Sequence, residues 1–322
     1  MSRYVLKRIL QMALTLFLIM TILFVLLKIT PGSPFQNPKI TQEMRAMLEA
    51  KYGLDQPVLV QYFMYLSNLI RGDLGTSIIM SKNYPVWDMV SGPLNITIRL
   101  GLIALFYGSA VGVFLGAIAA LNRNKFWDHF NTVIAVIGVS VPSFVVAMIL
   151  LMVRRNFPFI PVVYQPYNPS LGVTRLDEIV SMTLPILTLS FGVIASISRY
   201  VRTELVEVYN SDFILLARAK GLNKRQVFTK HAFRNALIPI VTIMGPMMVA
   251  LITGSTVVER FFGVPGLAQM TIKSINVKDT FVTLAAELLY SAMFVFTMLV
   301  VDIAYGIIDP RIRLVGGGKN NE

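Results

Sequence analysis

Hydrophobic residues along this chain come in long blocks rather than in short amphipathic periods. Each block is close to the roughly 20 residues that a helix needs to cross the hydrocarbon core of a bilayer, and a helix satisfies its own backbone hydrogen bonds there. The pattern therefore predicts an all-α polytopic membrane protein. Its six predicted transmembrane helices are approximately Ile9 to Leu27, Leu100 to Leu121, Phe130 to Val153, Ile179 to Ser198, Ala236 to Val258 and Val282 to Ile308.

The polar stretches between these blocks predict how the chain is divided. The longest one begins in a cluster of helix breakers, Thr30 to Pro34, and contains a polar helix around Thr41 to Lys51. We interpret it as a small folded subdomain outside the cell membrane. The predicted divisions are 1–28 for the N-terminal transmembrane helix, 29–99 for the extracytoplasmic subdomain, 100–308 for the transmembrane core with a cytoplasmic loop at 199–235, and 309–322 for a cytoplasmic tail.

The distribution of basic residues predicts the orientation. With the N-terminus inside, the inner segments hold 16 lysines and arginines in 68 residues, whereas the outer segments hold 13 in 120 residues. Because basic residues are concentrated in cytoplasmic loops, both termini are expected in the cytoplasm. Arg154 and Arg155 run against this rule in the third loop. The inner segments are 1–8, 121–129, 199–235 and 309–322.

Composition agrees with a membrane protein. Mean hydropathy is +0.66 and only 14% of residues are charged, against roughly 25% in an average soluble domain. The net charge of +12 follows the membrane topology, so a nucleic-acid partner is not expected. The sequence has no cysteine, which excludes disulfides, zinc–thiolate sites and a thiol nucleophile, and His129 and His231 cannot form a metal centre alone.

The sequence patterns that signal an enzyme are missing. The chain has no P-loop, no dinucleotide-binding glycine pattern, no zinc-protease H-E-x-x-H and no G-x-S-x-G nucleophile elbow. An intramembrane serine protease would need a histidine at membrane depth, whereas both histidines fall in predicted loops or at their edges. We therefore predict no catalytic, cofactor-binding or metal-binding residues.

A few residues within the predicted spans are candidates for lining a translocation path. Glu287 and Asp302 fall in the last span, where ionised groups usually face water or a partner; alternatively, Glu287 reaches the outer boundary and Asp302 is solvated at the inner end. Pro142, followed by Ser143, would free a backbone carbonyl or bend the third span. Glu287, Pro142 and Ser143 are thus the predicted path residues.

The segment between the fourth and fifth spans is too organised for a linker. Asp212 is expected to cap a short helix that ends at Ala219 or Lys220, and Gly221 suits the left-handed residue after it. Asn223 is expected to cap a second helix. By their spacing, four residues of the first helix share one face, which could dock into a groove on another protein or lie on the membrane surface. They are Phe213, Leu216, Ala217 and Lys220.

These residues carry a resemblance to a known family. The run from Ala217 to Leu222, followed by Lys230 to Pro239, resembles the EAA loop of ABC importer permeases in its oligopeptide and dipeptide form. The literal Glu-Ala-Ala is absent, but the alanines and Gly221 are kept. Further segments are similar to the OppB/DppB-like branch: Tyr52 to Pro57, Gly72 to Gly75, Val141 to Phe144, Val258 to Ala268 and Asp309 to Arg313.

The resemblance implies a permease subunit of a type I ABC importer in a bacterial or archaeal cell membrane. Such a subunit forms half of the path for oligopeptides and is coupled to an ATPase through the loop 212–239. It implies as partners an OppC-like second permease, two OppD/OppF-like ATPase subunits that hold ATP and Mg²⁺, and an extracytoplasmic peptide-binding protein. The coupling residues that it implies are Asp212, Phe213, Leu216, Ala217, Arg218, Ala219, Lys220, Gly221 and Leu222.

Two alternatives remain open at this point. A nickel-type permease is similar in the same motifs, although the scarcity of histidine favours peptide. A secondary transporter or channel that works without ATP could also be built from six spans and Glu287. A self-contained carrier of that kind has no need for a cytoplasmic docking helix, so the loop favours the ABC importer.

Overall fold

The computed structural model describes residues 2–32, 34–35 and 41–308, and this part of the chain folds mainly into helices. A 3-10 turn, Pro169–Leu171, and a π-helix, Val227–Ala232, join the α-helices. The α-helices are α1 Ser2–Ile29, α2 Gln42–Lys51, α3 Val58–Ile70, α4 Val86–Leu121, α5 Phe126–Ser140, α6 Ser143–Arg154, α7 Arg175–Ser181, α8 Thr183–Tyr209, α9 Asp212–Ala219, α10 Lys224–Gln226, α11 Phe233–Phe261, α12 Leu267–Val277 and α13 Thr280–Ile308.

The long apolar helices confirm a multi-pass membrane protein. Within the described residues, four helical stretches are long and apolar enough to cross a bilayer, and two bent pairs bring the number to six if each pair is one span. The six predicted segments coincide with these four stretches and two pairs. The polar helix predicted around Thr41 to Lys51 is also confirmed as α2, whose N-terminus is capped by the Thr41 hydroxyl.

The third predicted span, from Phe130 to Val153, consists of two helices, and the bend expected at Pro142 is confirmed. The chain bends by 117° between α5 and α6, at Val141 and Pro142. Proline has no N–H for the helical ladder and forces the residue before it out of the helical region, and Val141 is extended, with φ −86° and ψ 123°. The proline thus does more than kink a span, because it ends one helix and starts another.

The second predicted span, from Leu100 to Leu121, is the C-terminal part of a longer helix. α4 begins at Val86 and continues to Leu121 through Pro93. The predicted subdomain 29–99 therefore contains the first turns of α4, and its own folded part lies before Val86. The predicted boundaries of the divisions and the tail 309–322, which lies outside the described residues, stay predictions.

The described chain forms two compact units, the first made of Met1–Thr97 and Pro265–Phe296. Its apolar core includes Val86 and Val90 of α4 packed with Val282 and Ala286 of α13. A second cluster joins Phe24 of α1 to α3 and α13. The first unit is thus assembled from segments that are far apart in the sequence.

A buried carboxylate fastens a turn of the first unit to the start of α13. Asp279, which is fully buried, accepts a hydrogen bond from the Ser77 hydroxyl at 2.6 Å. It also accepts from the backbone N–H groups of Ile78, Ile79 and Met80 at 3.2, 2.9 and 3.0 Å. Hydrogen bonds from several N–H groups stabilise a buried carboxylate, so this residue fixes the turn 77–80.

Among the described residues, the second unit comprises Ile98–Val264 and 297–308. Within it, α8 packs against α5, α6 and α11. Three glycines of α4, repeated every four residues, let α8 approach closely. A Cβ built on Gly108 or Gly112 would lie 2.8 Å from the Cβ of Val193 or Ile197, and one on Gly116 would lie 2.5 Å from the Ser198 carbonyl oxygen.

Gly116→Val is expected to separate α4 from α8. The new side chain would collide with backbone, which cannot rotate away, and overpacking of this kind costs about 1–3 kcal/mol or more. The midpoint of thermal unfolding in detergent should therefore fall. Gly92→Val is the matched control, because it puts the same β-branched residue on the same helix where a Cβ meets no atom within 4 Å. Equal loss in both variants would contradict close packing at Gly116.

Candidate functional site

The segment between the fourth and fifth predicted spans contains two helical stretches joined at Gly221, as predicted. The first is the short helix α9, whereas the second begins at Lys224 and continues through the π-helix into α11. α9 follows Ser211, which has extended φ and ψ angles of −82° and 151°. The prediction that Asp212 caps this helix is wrong, since Asp212 is its first helical residue. A carboxylate in the first turn still interacts favourably with the helix dipole. The prediction of an acidic residue at the start of the helix was therefore correct, but the residue at the cap position is Ser211, one position earlier.

α9 exposes three large apolar side chains beside Asp212, Arg218 and Ala219. Phe213, Leu215 and Leu216 are 43, 71 and 56% exposed. Among the predicted face residues, Ala217 is the exception, because it is buried together with Ile214. Spacing alone places Ala217 near Phe213, but the packing of the second unit covers the stripe that contains Ile214 and Ala217.

We define the docking face as Phe213, Leu215 and Leu216. The sequence analysis missed Leu215, which is the most exposed of the three. The remaining predicted coupling residues lie around the C-terminal end of the helix. Arg218, Ala219, Lys220 and Gly221 are exposed and Leu222 is partly buried.

The turn after α9 confirms two predictions. Gly221 has φ +79°, in the left-handed region that favours glycine, and its N–H donates to the Arg218 carbonyl at 2.9 Å. Asn223 caps the next helix, because its side-chain oxygen accepts from the Gln226 N–H at 2.9 Å while Gln226 bonds back to the Asn223 N–H at 3.1 Å. The orientation of α9 thus depends on one left-handed residue.

Because the resemblance to ABC importer permeases implies that this loop couples an ATPase to transport, Gly221→Val is expected to weaken coupling between ATP hydrolysis and transport. A Cβ at this position would meet no atom within 4 Å, so the cost is backbone strain alone, about 1–2 kcal/mol for a residue forced into the left-handed region. That strain favours a different turn and a different angle of α9. The ratio of transported substrate to hydrolysed ATP should fall in Gly221→Val.

Gly221→Asn is the matched control, because asparagine tolerates the left-handed region far better than valine. Its coupling ratio should stay near that of the original protein. A normal ratio in Gly221→Val would show that the turn geometry does not set coupling.

The chain leaves α10 through a π-helix, Val227–Ala232. Val227 and Ala232 of this π-helix are buried within the second unit, and the segment contacts both α9 and α11. π-Helical turns are rare and are often found at functional sites. No sequence signal predicted this one, since the hydrophobic spacing there also fits an ordinary helix.

A partly buried ion pair holds the first turn of α5 against α8. Arg202 donates from Nε and Nη2 to the two carboxylate oxygens of Asp128, both at 2.9 Å. Asp128 also accepts from the Asn124 backbone N–H at 2.9 Å, and its side chain is only 4% exposed. A bidentate pair of this kind fixes both distance and angle. Sequence reasoning missed it because its partners lie 74 residues apart.

The second unit contains a cavity of about 320 Å³ beside the bend between α5 and α6. Ser143, a predicted path residue, lines it, and Pro142 is the residue that precedes α6. The polar side chains around the cavity are Ser143, Thr188 and Ser196, and the described lining residues include none with a charge. Glu287, the third predicted path residue, is partly buried on α13 in the first unit. Their roles in transport stay predictions.

Comparison with known protein families decides what kind of protein has this organisation. Residues 112–314 match the family described as binding-protein-dependent transport system inner membrane component, and residues 1–100 match the N-terminal part of such components. The chain belongs to this family. Membership in this family confirms that the chain is a membrane permease. It argues against the alternative of a self-contained carrier.

The sequence similarity between this permease and its relatives covers nearly the whole chain. It is 39% identical to the dipeptide transport system permease protein DppB of Lactococcus lactis subsp. cremoris, over 98% of this chain and 100% of that protein. It is 38% identical to the oligopeptide transport system permease protein OppB of Escherichia coli K12, over 97% and 100%. The expected resemblance to the OppB/DppB branch is confirmed.

Among solved structures, the permease is similar to a chain of the MetNI methionine ABC transporter. The TM-score is 0.55 at 16% identity, covering 68% of this chain and 96% of that one. Similarity at this low sequence identity shows a shared fold and nothing more specific. Together with the family match it confirms the expected type I importer permease fold.

Proposed function

We propose that this chain is the transmembrane permease subunit of an ATP-driven importer of peptides. The observation that carries the proposal is its similarity to dipeptide and oligopeptide permeases over 97–98% of its length. The relatives favour peptide over nickel, the alternative within the same family. The chain itself is not an enzyme in this proposal, since ATP and Mg²⁺ are held by separate ATPase subunits.

The docking face supports the coupling role. Three apolar side chains exposed on a short helix need a partner, and a groove on an ATPase subunit would bury them. Arg202, which pairs with Asp128 of α5, lies on α8, the helix that precedes α9 in the chain. Movement of an ATPase would be transmitted from α9 to α8, which this ion pair ties to α5.

The cavity of the second unit supports the substrate class. It is lined by glycines, apolar residues and three hydroxyl groups. A lining without charges neither attracts nor repels a particular ionised side chain, which suits a route for peptides of varied sequence. Selectivity would then reside mainly in the extracytoplasmic binding protein that delivers the peptide.

The proposed arrangement includes an OppC-like second permease, two OppD/OppF-like ATPases and a peptide-binding protein, with both termini of this chain in the cytoplasm. The basic residues of the loop 199–235 support that orientation. This chain would contribute half of the path, and the second permease would contribute the other half.

Uptake by the purified assembly tests the function. The tagged chain is isolated with its co-purifying subunits, reconstituted in liposomes and supplied with the binding protein and either a radiolabelled dipeptide or ⁶³Ni²⁺. Peptide accumulation that requires hydrolysable ATP is the expected result. ATP-dependent accumulation of nickel alone would contradict the peptide assignment, and peptide transport that proceeds equally without ATP would contradict the importer.

A further inference from the structure

The first unit contains a second cavity that the proposed function does not use. It measures about 100 Å³ and is enclosed by the end of α1, the link between α2 and α3, α3 itself and the start of α13. Phe24, Leu54 and Phe281 form apolar walls. Lys28, Tyr65 and Gln61 are among the polar residues that line the same cavity.

Lys28 is held in place at this cavity by a hydrogen bond from its ammonium group to the Gln61 side-chain oxygen. The Gln61 amide nitrogen donates to the carbonyls of Leu54 and Gln56 at 3.0 and 2.6 Å, which fixes the oxygen toward Lys28. Lys28 pairs with no carboxylate in the described part of the chain. An ammonium group has three donors, and two of them remain for a ligand.

Tyr65 adds a hydroxyl that has no partner. The residue is 5% exposed, its ring stacks on Phe24 with centroids 6.1 Å apart, and among the described residues nothing bonds to its hydroxyl. A buried polar group without a hydrogen-bond partner destabilises the folded protein. A ligand oxygen in the cavity would remove that destabilisation and accept from Lys28 as well.

The surroundings indicate a ligand with an anionic head and long apolar chains. Lys28 is the residue before the last in the span Leu6–Ile29, so it lies where hydrocarbon gives way to water. The adjoining helix α3 exposes Leu59, Phe63 and Ile70 at 71, 64 and 87%. A soluble anion would leave these apolar side chains uncovered, whereas the acyl chains of a lipid would cover them.

We propose that this cavity binds the phosphate of an anionic phospholipid headgroup. Lys28 supplies the positive charge, the Tyr65 hydroxyl supplies a second donor, and Gln61 is the positioning residue that keeps Lys28 at the cavity. The acyl chains lie along the exposed apolar sides of α1 and α3. Phosphatidylglycerol is preferred to phosphatidylcholine, because the choline cation of the latter would be repelled by Lys28.

Native mass spectrometry of the intact transporter, with phosphatidylglycerol or phosphatidylcholine of equal chain length added in detergent, tests the site. We expect Lys28→Met to weaken phosphatidylglycerol binding about tenfold, the loss of one charge-assisted hydrogen bond, and Tyr65→Phe about fivefold. Lys82→Met and Tyr84→Phe are matched controls, since both residues are exposed in the same unit. They should bind like the original protein.

The source of the anion and the folding of the variants are tested in parallel. Lys28→Arg should restore binding to within about threefold, because the guanidinium keeps the charge and the donors, which separates a lost ligand contact from a misfolded protein. Equal binding of both lipids, or no effect of Lys28→Met, would overturn the proposal. Inorganic phosphate that displaces phosphatidylglycerol at millimolar concentration would overturn it in favour of a soluble anion.

Discussion

Replacing Leu215 and Leu216 together by glutamate is expected to detach the ATPase subunits and abolish ATP-dependent uptake. Both side chains are exposed on α9, at 71 and 56%. Burying a leucine stabilises a contact by about 1.5–3 kcal/mol, so losing two removes roughly 3–6 kcal/mol, and burying two carboxylates adds a further penalty. Affinity for the ATPase should therefore fall by at least about a hundredfold.

Recovery of ATPase subunits with the tagged chain measures this loss directly. Leu171→Glu is the matched control, because Leu171 is 77% exposed in the same unit but lies in a loop away from α9 in the sequence. Its ATPase recovery and uptake should be unchanged. Undiminished ATPase binding by the α9 variant would show that the docking face contacts something else.

Local signals predicted the details of the loop well. The left-handed Gly221 and the capping Asn223 depend on residues within four positions, so the sequence contains all that decides them. The bend at Pro142 follows from the same kind of local rule, but its size of 117° does not, because neighbouring helices determine how far two halves fold apart.

Features that depend on contacts between distant parts of the chain could not be predicted from the sequence. Ala217 and Phe213 have spacing that suits one face, yet the packing of the second unit buries only Ala217. In the sequence, Asp279 is an ordinary polar residue between two predicted helices. Only the fold shows that it accepts hydrogen bonds from the turn 77–80. Arg202 likewise looks like one more cytoplasmic basic residue, and only the fold brings it to Asp128.

Arg202→Met is expected to destabilise the second unit and to reduce uptake. It would leave Asp128, whose side chain is 4% exposed, without its cationic partner. Removing one member of a buried pair costs about 3–5 kcal/mol, and the lower end applies because Arg202 is itself 30% exposed. The midpoint of thermal unfolding in detergent should fall, and uptake should fall with it because α8 leads directly into α9.

The double variant Asp128→Asn with Arg202→Met separates the ion pair from general packing. Asparagine removes the uncompensated charge and can still accept the hydrogen bond from the Asn124 N–H. The double variant should therefore be more stable than Arg202→Met alone, and it should lose less stability than the sum of the losses of Asp128→Asn and Arg202→Met measured singly. If the effects of the two changes simply add, the residues do not act as a pair and the ion pair is not what holds α8 against α5.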